Sequence, residues 1–411
     1  MKKTICLMTE WYPSKENPYR GVFFKEQAFA VSDRFDFLVL HYREQPKKKP
    51  GRRFHVQKTN EENNTAEYDV TAYVPLTVLL RDIVRSFLVR RSPGRRKDGV
   101  GRYLSEKHKR FTQNTLRQVF QTHLPQKIDA FYCVDAQREA FFLSCAAQAR
   151  HAPYVVSEHA PVPWPGTLIS DADHAAIEQA DLFFAISQDK IRQLLLQNLH
   201  LPRTVYIGNL IDETRLRIVP GEALRVKTLI IVAANSFYKN YDLFIRVMDR
   251  LTEITDAPFR VMIVGYGANK GYSKKTKELE EKIRASRFAG RAEMIPEVPH
   301  EKIGETLARA DAFVMTSIQE GQPVSAMEAA CCGLPIFSTR CGGVEDYVDD
   351  TLGRIYAVTD AEGMARGLRD YLEGRIVFDS RHIRDTVVAR FGLNAFRKTF
   401  VDAFTEVTAH D

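Results

Sequence analysis

Two doubly wound α/β domains facing a cleft are predicted by three observations. Short strands that are apolar throughout alternate with segments of helical period, the pattern of a parallel sheet covered on both faces. The alternation fills the N-terminal half, halts in a polar, irregular stretch at 212–225, and then restarts. The two halves are of similar size and share no repeated sequence, and 411 residues leave each room to bury a core.

Taken in order, TICLM at 4–8 reads as the first strand, followed by a loop rich in turn residues, EWYPSKENPYRG. GVFFKEQAFAVSD then has apolar residues at helical spacing, and FDFLVL at 35–40 returns as a strand. Residues 43–70 are polar and basic without a clear period, which reads as loop or weak β-structure. IDAFYCV, PYVVS, DLFFAI and RTVYI complete the strands of the first half. In the second half the strands are KTLIIVAA, FRVMIVG, AEMI, DAFVM, LPIFS and RIYAV. The expected division is a domain at 1–212, a second at 213–392, and a terminal helix at 393–411 packing back on the first. That helix, LNAFRKTFVDAFTEV, keeps its aromatic and aliphatic residues on one face.

A hydrophobic content of 44% with 27% charged residues is ordinary for a soluble globular protein. No apolar run approaches the roughly 20 residues that span a bilayer. The N-terminal apolar stretch is too short for a secretory leader, so a cytoplasmic location is the expectation. The six cysteines form no C-x-x-C pair, which favours buried thiols over a zinc ribbon or redox motif.

The formal charge of +7 is uneven. Between Arg81 and Arg110 eleven basic residues face three acids, a local charge of +8. YVPLTVLLRDIVRSFLVRR, 73–91, leads into the basic region 74–110 and mixes aliphatic residues and arginines at helical spacing. It reads either as a solvated face over a core stripe or as a helix lying on an anionic membrane surface. No recognition module accompanies the charge, so nucleic acid is not an expected partner.

The chemistry concentrates in TSIQEGQPVSAMEAACCGLPIFSTRCGGVED, residues 316–346. Pro323 suits a first helical position, where its missing N–H has no partner to lose. Gly333 suits a left-handed stop, and Pro335 prevents resumption of the helix. After the strand LPIFS, Cys341-Gly342-Gly343 is expected to turn into another helix. Glu320 precedes the first helix and Glu328 lies within it. Taken singly, each reads as a carboxylate that favours a helix N-terminus. Together they frame a helix mouth whose free N–H groups and positive dipole suit a phosphate.

EGQPVSAMEAACCGLPIFSTRCGGVEDYV, 320–348, resembles the donor-site signature of the retaining glycosyltransferases of family 4, which have the GT-B fold. The Glu-x7-Glu spacing matches residue for residue. SEHA, AISQDKI, IGNLID and YKNYDLFIRVM resemble further landmarks of that family in order, and YPS–NPYRGVFFKEQAFA its first loop and helix. The resemblance implies two Rossmann-like domains, with the acceptor on the first and a nucleoside diphosphate sugar on the second. It gives Glu328 the ribose hydroxyls and Glu320 the hydroxyls of the transferred sugar. Gly321, Gln322, Pro323 and Val324, with Gly342 and Gly343, would surround the diphosphate, through N–H groups except at Pro323. Lys239 matches the lysine that neutralises the donor phosphates. Ala234 stands where the family carries an arginine, and Arg20, Lys25 and Arg340 are the candidates to replace it.

His159 follows the strand PYVVS and resembles the histidine that approaches the sugar from the first domain; a structural loop histidine is the alternative. Gly21 would let the backbone approach the diphosphate, or would serve a turn into the first helix. Gly265, in VGYG, resembles the family's glycine turn, and a plain tight turn is the other reading. Asn209 and Asp212 read as structural. Asp171-Ala172-Asp173 imitates a metal-binding D-x-D but reads as a helix cap, and neither metal nor cofactor is expected.

The implied activity is sugar transfer with retention, of the hexosyltransferase type. Its expected setting is cell-surface polysaccharide or glycolipid assembly at the inner face of the plasma membrane. Two alternatives stay open: another GT-B activity such as a sugar-nucleotide epimerase, and a non-catalytic basic binding protein on this fold.

Overall fold

The computed structural model describes residues 2–13, 21–47, 51, 53–62, 65–90, 104–124, 127–160, 169–219, 226–267 and 273–409, with side chains at 61–62 and 85–90 excepted. They form two compact units, Met1–Gly208 with Arg397–Asp411, and Asn209–Phe396.

Unit 1 runs β1 (Lys3–Met8), α1 (Val22–Ala30), β2 (Phe35–Pro46), β3 (Phe54–Glu62), β4 (Thr65–Val74), α2 (Leu76–Arg90) and α3 (Glu106–Thr122). It continues with β5 (Ala130–Cys133), α4 (Ala136–Arg150), β6 (Tyr154–Ser157), α5 (Asp171–Glu178), β7 (Leu182–Ala185), α6 (Gln188–Leu195) and β8 (Thr204–Tyr206). The eight strands lie in the order β3-β4-β2-β1-β5-β6-β7-β8, and every pair is parallel except β3 with β4. β5, β6 and β7 are buried at every residue, as their continuous apolar runs require.

The stretch 43–70 differs from its expectation of loop or weak β-structure. β2 continues to Pro46, and β4 pairs with it over ten residues from Phe37↔Thr65 to Pro46↔Val74. The reason is period. In β4, Val70, Ala72 and Val74 are buried while Asp69, Thr71 and Tyr73 are not. A strand with one covered face alternates, and its polar half hides it from a search for apolar runs.

Unit 2 contains β9 (Lys227–Val232), a 3-10 turn at Phe237–Lys239, α7 (Tyr241–Ile254), β10 (Phe259–Val264), α8 (Lys274–Arg284), β11 (Ala292–Ile295) and α9 (Ile303–Leu307). Then come β12 (Ala312–Met315), α10 (Val324–Cys331), β13 (Ile336–Thr339), β14 (Gly353–Tyr356), α11 (Ala361–Leu372), α12 (Ser380–Phe391) and α13 (Leu393–Val407). Its six strands are all parallel, in the order β11-β10-β9-β12-β13-β14. Leu243, Phe244, Val247, Met248 and Leu251 place the apolar stripe of α7 on this sheet.

Arg397–Asp411, most of α13, groups with unit 1. There Phe400 and Phe404 meet Phe35, Tyr132 and Phe184 with ring centroids about 6 Å apart. All six cysteines are buried free thiols.

Candidate active site

In an open α/β sheet, ligands bind outside the carboxyl ends of the strands where the strand order reverses. In unit 2 that point lies between β9 and β12. The loop after β9 ends in the 3-10 turn that carries Lys239, and Asn240, in the left-handed region, starts α7 by accepting from Leu243 N at 3.3 Å. The loop after β12 carries Glu320. Backbone bonds lace the two together: Ile318 N donates to Tyr238 O at 2.7 Å, and Thr316 Oγ1 donates to Lys239 O at 3.1 Å. With both loops fixed, Lys239 Nζ meets Glu320 Oε1 at 2.6 Å, the two side chains 26% and 13% exposed.

A third loop, after β13, closes on the same place. Glu320 N donates to Cys341 O at 2.7 Å. A Cβ on Gly343 would overlap Gly321 O, and its φ of +70° lies in the left-handed region, so glycine is required on both counts. Gly342, at φ +89°, donates its N–H to the Glu345 carboxylate at 3.0 and 3.3 Å.

Pro323 is the N-cap of α10 and not its first helical residue; with ψ at 104° it is extended, and Ala326 N and Met327 N donate to its carbonyl at 3.2 Å. Val324 opens the helix, and the N–H groups of a first turn have no partner within the helix itself. Glu328 is buried in α10. The helix expected after Gly343 does not form. Tyr347 N and Val348 N both donate to Val344 O, at 3.2 and 3.0 Å, which closes a turn only.

Gln322 is buried, and Asn209 bonds both of its oxygens. Its side-chain oxygen accepts from Asn209 N at 2.5 Å and its carbonyl from Asn209 Nδ2 at 3.0 Å. Asn209, read from sequence as structural, is thus the residue that shapes the Gln322 loop. Gly265 sits at φ +81° and donates to Ile295 O at 2.9 Å, so its N–H holds the end of β11 and the tight-turn reading describes it. Beside Ala234, Asn235 donates to Lys275 O at 2.9 Å. Arg340 is exposed at the carboxyl end of β13, Lys25 lies 5.2 Å over the Phe29 ring, and Arg20 is outside the described residues.

In unit 1 the order reverses between β1 and β5. His159, two residues past β6, donates its N–H to Val134 O at 3.3 Å. Its ring stands edge-on to Phe24 at 4.8 Å. Gly21, at φ +64°, is the N-cap of α1, and a Cβ there would overlap Trp11 O. Glycine is therefore explained by the turn into α1.

Sequence reasoning passed over the carboxylates around His159. Glu158 accepts from Ala160 N at 2.7 Å and Gln137 N at 2.9 Å, and Glu139 accepts from Glu10 N at 2.7 Å. Burial, followed by the charge of Asp135, pushes both carboxyls above the usual range, and Lys190 opposes the shift at Glu158. Burial also raises Asp135, against the pull of Arg138. Burial lowers Lys190, whose Nζ donates to Ala160 O and to Gln193 Oε1 at 3.0 Å. In the sequence Asp135 and Glu139 look like ordinary acids at a helix start; only their place at the ends of β5 and α4 makes them a cluster.

The Asp171–Asp173 pair holds a correction. Ser170 caps α5, accepting from Asp173 N at 3.0 Å, while Asp173 Oδ1 accepts from Phe141 N at 3.0 Å. The acids occupy the first turn, where the helix dipole favours them, and the cap is the serine. Of the basic region, α2 is described to Arg90, and residues 91–103 lie outside the described residues. Leu76, Leu80, Ile83 and Val84 are 54–63% exposed. Asp82, on the opposite side, bonds His108 Nδ1 at 2.5 Å while Glu44 Oε2 bonds Nε2 at 2.7 Å. Among the described residues no helix is long and apolar enough to cross a membrane.

The profile of the family described as Glycosyl transferases group 1 matches residues 212–385. The gpi3 component of the phosphatidylinositol N-acetylglucosaminyltransferase of Schizosaccharomyces pombe is 26% identical over 167 residues, 40% of this chain and 35% of that relative's length. TuaC of Bacillus subtilis (strain 168), provisionally named a teichuronic acid biosynthesis glycosyltransferase, is 23% identical over 98% of both chains. Among solved structures, Anabaena HepE in complex with UDP and glucose superposes with a TM-score of 0.65 at 14% identity, over 98% of this chain and 100% of that one. Residues 212–385 thus match the group 1 glycosyl transferase profile, in a chain of the GT-B fold.

Proposed function

We propose that the protein is a retaining, family 4-like glycosyltransferase that moves a hexose from a nucleoside diphosphate donor to a glycan or glycolipid acceptor. The observation that carries this reading is the Lys239–Glu320 contact of 2.6 Å at the strand-order reversal of unit 2, beside the start of α10. A lysine there offsets the charge that builds on a departing diphosphate, and fixed donors at a helix mouth add to it without reorganisation. Glu320 and Glu328 can each accept two hydroxyl hydrogen bonds, one set from the sugar and one from the ribose. No protein nucleophile is needed if the leaving phosphate takes the acceptor's proton on the same face. The reaction requires no metal in this scheme because Lys239 and backbone N–H groups supply the positive potential, and the role that the family resemblance gives His159 is part of the same proposal. The names of TuaC and of the Schizosaccharomyces pombe relative support a setting in surface polysaccharide or lipid-linked glycan assembly. A panel of nucleotide sugars, each followed for slow donor hydrolysis, tests the assignment: one donor is expected to release its nucleoside diphosphate, and release from none refutes it.

The exposed leucines and isoleucine of α2, in a segment rich in arginine, favour docking on an anionic cytoplasmic membrane surface. Replacing Arg85, Arg90 and Arg91 by serine is expected to weaken binding to phosphatidylglycerol vesicles at least severalfold, since each basic residue contributes ~1 kcal/mol. Unchanged sedimentation with the vesicles removes the membrane from the reading.

A further inference from the structure

Two of the donors of the unit 2 site, the Lys239 ammonium and the Gly342 N–H, are each held by one of the protein's own carboxylates. Lys239 holds Glu320 at 2.6 Å, and the N–H of Gly342 holds Glu345 at 3.0 and 3.3 Å. Gly342 and Gly343 have successive positive φ angles, +89° and +70°, and Val344 N closes the turn on Gly342 O at 2.9 Å. The Gly342 N–H is a donor at the carboxyl end of the sheet, and Glu345 is the anion that reaches it. We infer that Glu345 is a displaceable stand-in for the donor's phosphate: the diphosphate must exchange with the Glu345 carboxylate to reach the Gly342 N–H. The inference rests on the nucleotide-sugar reading of this site and adds to it a residue that weakens donor affinity and sets its selectivity among anions.

Three features support an exchangeable contact over a permanent brace. The turn that presents Glu345 is closed by backbone bonds of its own, from Tyr347 N and Val348 N to Val344 O, and does not depend on the carboxylate. Gly343 is fixed independently by its close approach to Gly321 O. Finally, both carboxylate oxygens share one N–H at 3.0 and 3.3 Å, a forked contact weaker than two separate bonds. A phosphate offers more charge and more acceptor oxygens to the same donor. Its arrival leaves Glu345 next to a second anion, so the carboxylate must swing toward solvent, and the diphosphate's net affinity is lowered by that displacement.

The test measures binding of UDP, GDP and ADP, and of the corresponding nucleosides, to the full chain and to its Glu345→Gln and Glu345→Ala variants. Thermal unfolding of each variant without ligand checks that the fold is kept, and the isosteric glutamine retains the turn if alanine does not. The expected result is diphosphate binding about three- to tenfold tighter in Glu345→Gln, the gain from removing a competing charged acceptor worth ~1 kcal/mol. Nucleoside affinity should not change. Equal or weaker diphosphate binding by a folded glutamine variant overturns the displacement and leaves the nucleotide-sugar reading standing. Equal tightening for nucleosides overturns it as well, since Glu345 would then act on the site's shape and not on the phosphate. If neither the parent chain nor the variants bind any diphosphate, the reading of the site falls and the inference falls with it.

Discussion

In unit 1, Asp135, Glu139 and Glu158 crowd the carboxyl ends of β5 and β6, and burial drives their carboxyls toward the neutral form. In unit 2 the corresponding edge pairs Glu320 with Lys239, and Glu345 accepts from the Gly342 N–H. The same sheet architecture therefore presents two different electrostatic surfaces. Under the proposed reading, a phosphate in unit 2 would meet Lys239 and the start of α10. Beside the unit 1 cluster it would meet carboxyl groups, with the one lysine among them, Lys190, fully buried. The fold supplies a place for a ligand in both units, and the loop residues decide which ligand.

The contrast is broken most severely at the Lys239–Glu320 contact. Lys239→Ala and Glu320→Gln are each expected to lower turnover of the productive nucleotide sugar by about 10²–10³, the usual loss when a fixed stabilising group is removed. Near-normal kcat in both would show that the pair is a surface ion pair and nothing more. Unfolding midpoints close to the parent's are expected for both variants.

The next effect is in unit 1 and concerns stability. His108 is held above its usual range although burial acts to lower it, because the bonds and charges of Glu44 and then Asp82 outweigh burial. Tyr42 and Thr112 also reach Glu44, at 3.0 and 2.6 Å, and Ser105 N reaches Asp82 at 2.9 Å. A base whose folded value is raised stabilises fully below its unfolded value near 6.5 and loses that contribution as pH rises through the folded value. His108→Ala should therefore cost about 3 kcal/mol at pH 6, leaving two buried carboxylates without their cation, and less at pH 9. Denaturant titration at the two pH values measures the difference. An equal cost at both would mean that the ring's packing matters and its charge does not.

The smallest effect comes from Glu139. An acid held above its unfolded value binds its proton more tightly when folded, so its cost to stability appears as pH climbs above about 4.5 and grows up to the folded value. Glu139→Gln keeps an acceptor for Glu10 N and removes the titration. It is expected to raise the unfolding temperature by about 2–4 °C at pH 8, as ~1 kcal/mol does in a domain of this size, and to leave it unchanged at pH 4. A shift of equal size at both pH values would remove the carboxyl's ionisation from the explanation.

Much of this was legible in sequence because parallel strands are apolar on both faces. β1, β5–β7 and β9–β13 were each marked by such a run, and the fold class followed from their alternation with helices. β3 and β4 were not, since a strand with one covered face hides half of its apolar signal. In the site, the order of Glu320, Pro323, Glu328, Gly333 and Gly342 could be read directly, because glycine and proline announce turns wherever they occur. The partners could not. That Glu345 bonds Gly342 depends on the local path of the turn, and that Asn209 fixes Gln322, or that Asp82 and Glu44 clamp His108 from two elements, depends on tertiary closure over 113, 26 and 64 residues. Helix starts were blurred for a related reason: a serine, an aspartate or a proline each fits a cap, and the backbone chose Ser170 at one helix and Pro323 at another.

The most direct measurement of the central claim is thermal unfolding of the parent chain and of Lys239→Ala with UDP, GDP or ADP at 1 mM, roughly 100 times a Kd of about 10 µM and so worth ~2.7 kcal/mol of stabilisation. At least one diphosphate should raise the parent's unfolding temperature by several degrees, with most of that shift lost in Lys239→Ala. If none of the diphosphates moves the parent's transition, or if Lys239→Ala responds as fully as the parent, unit 2 does not hold a nucleotide diphosphate at the Lys239–Glu320 contact.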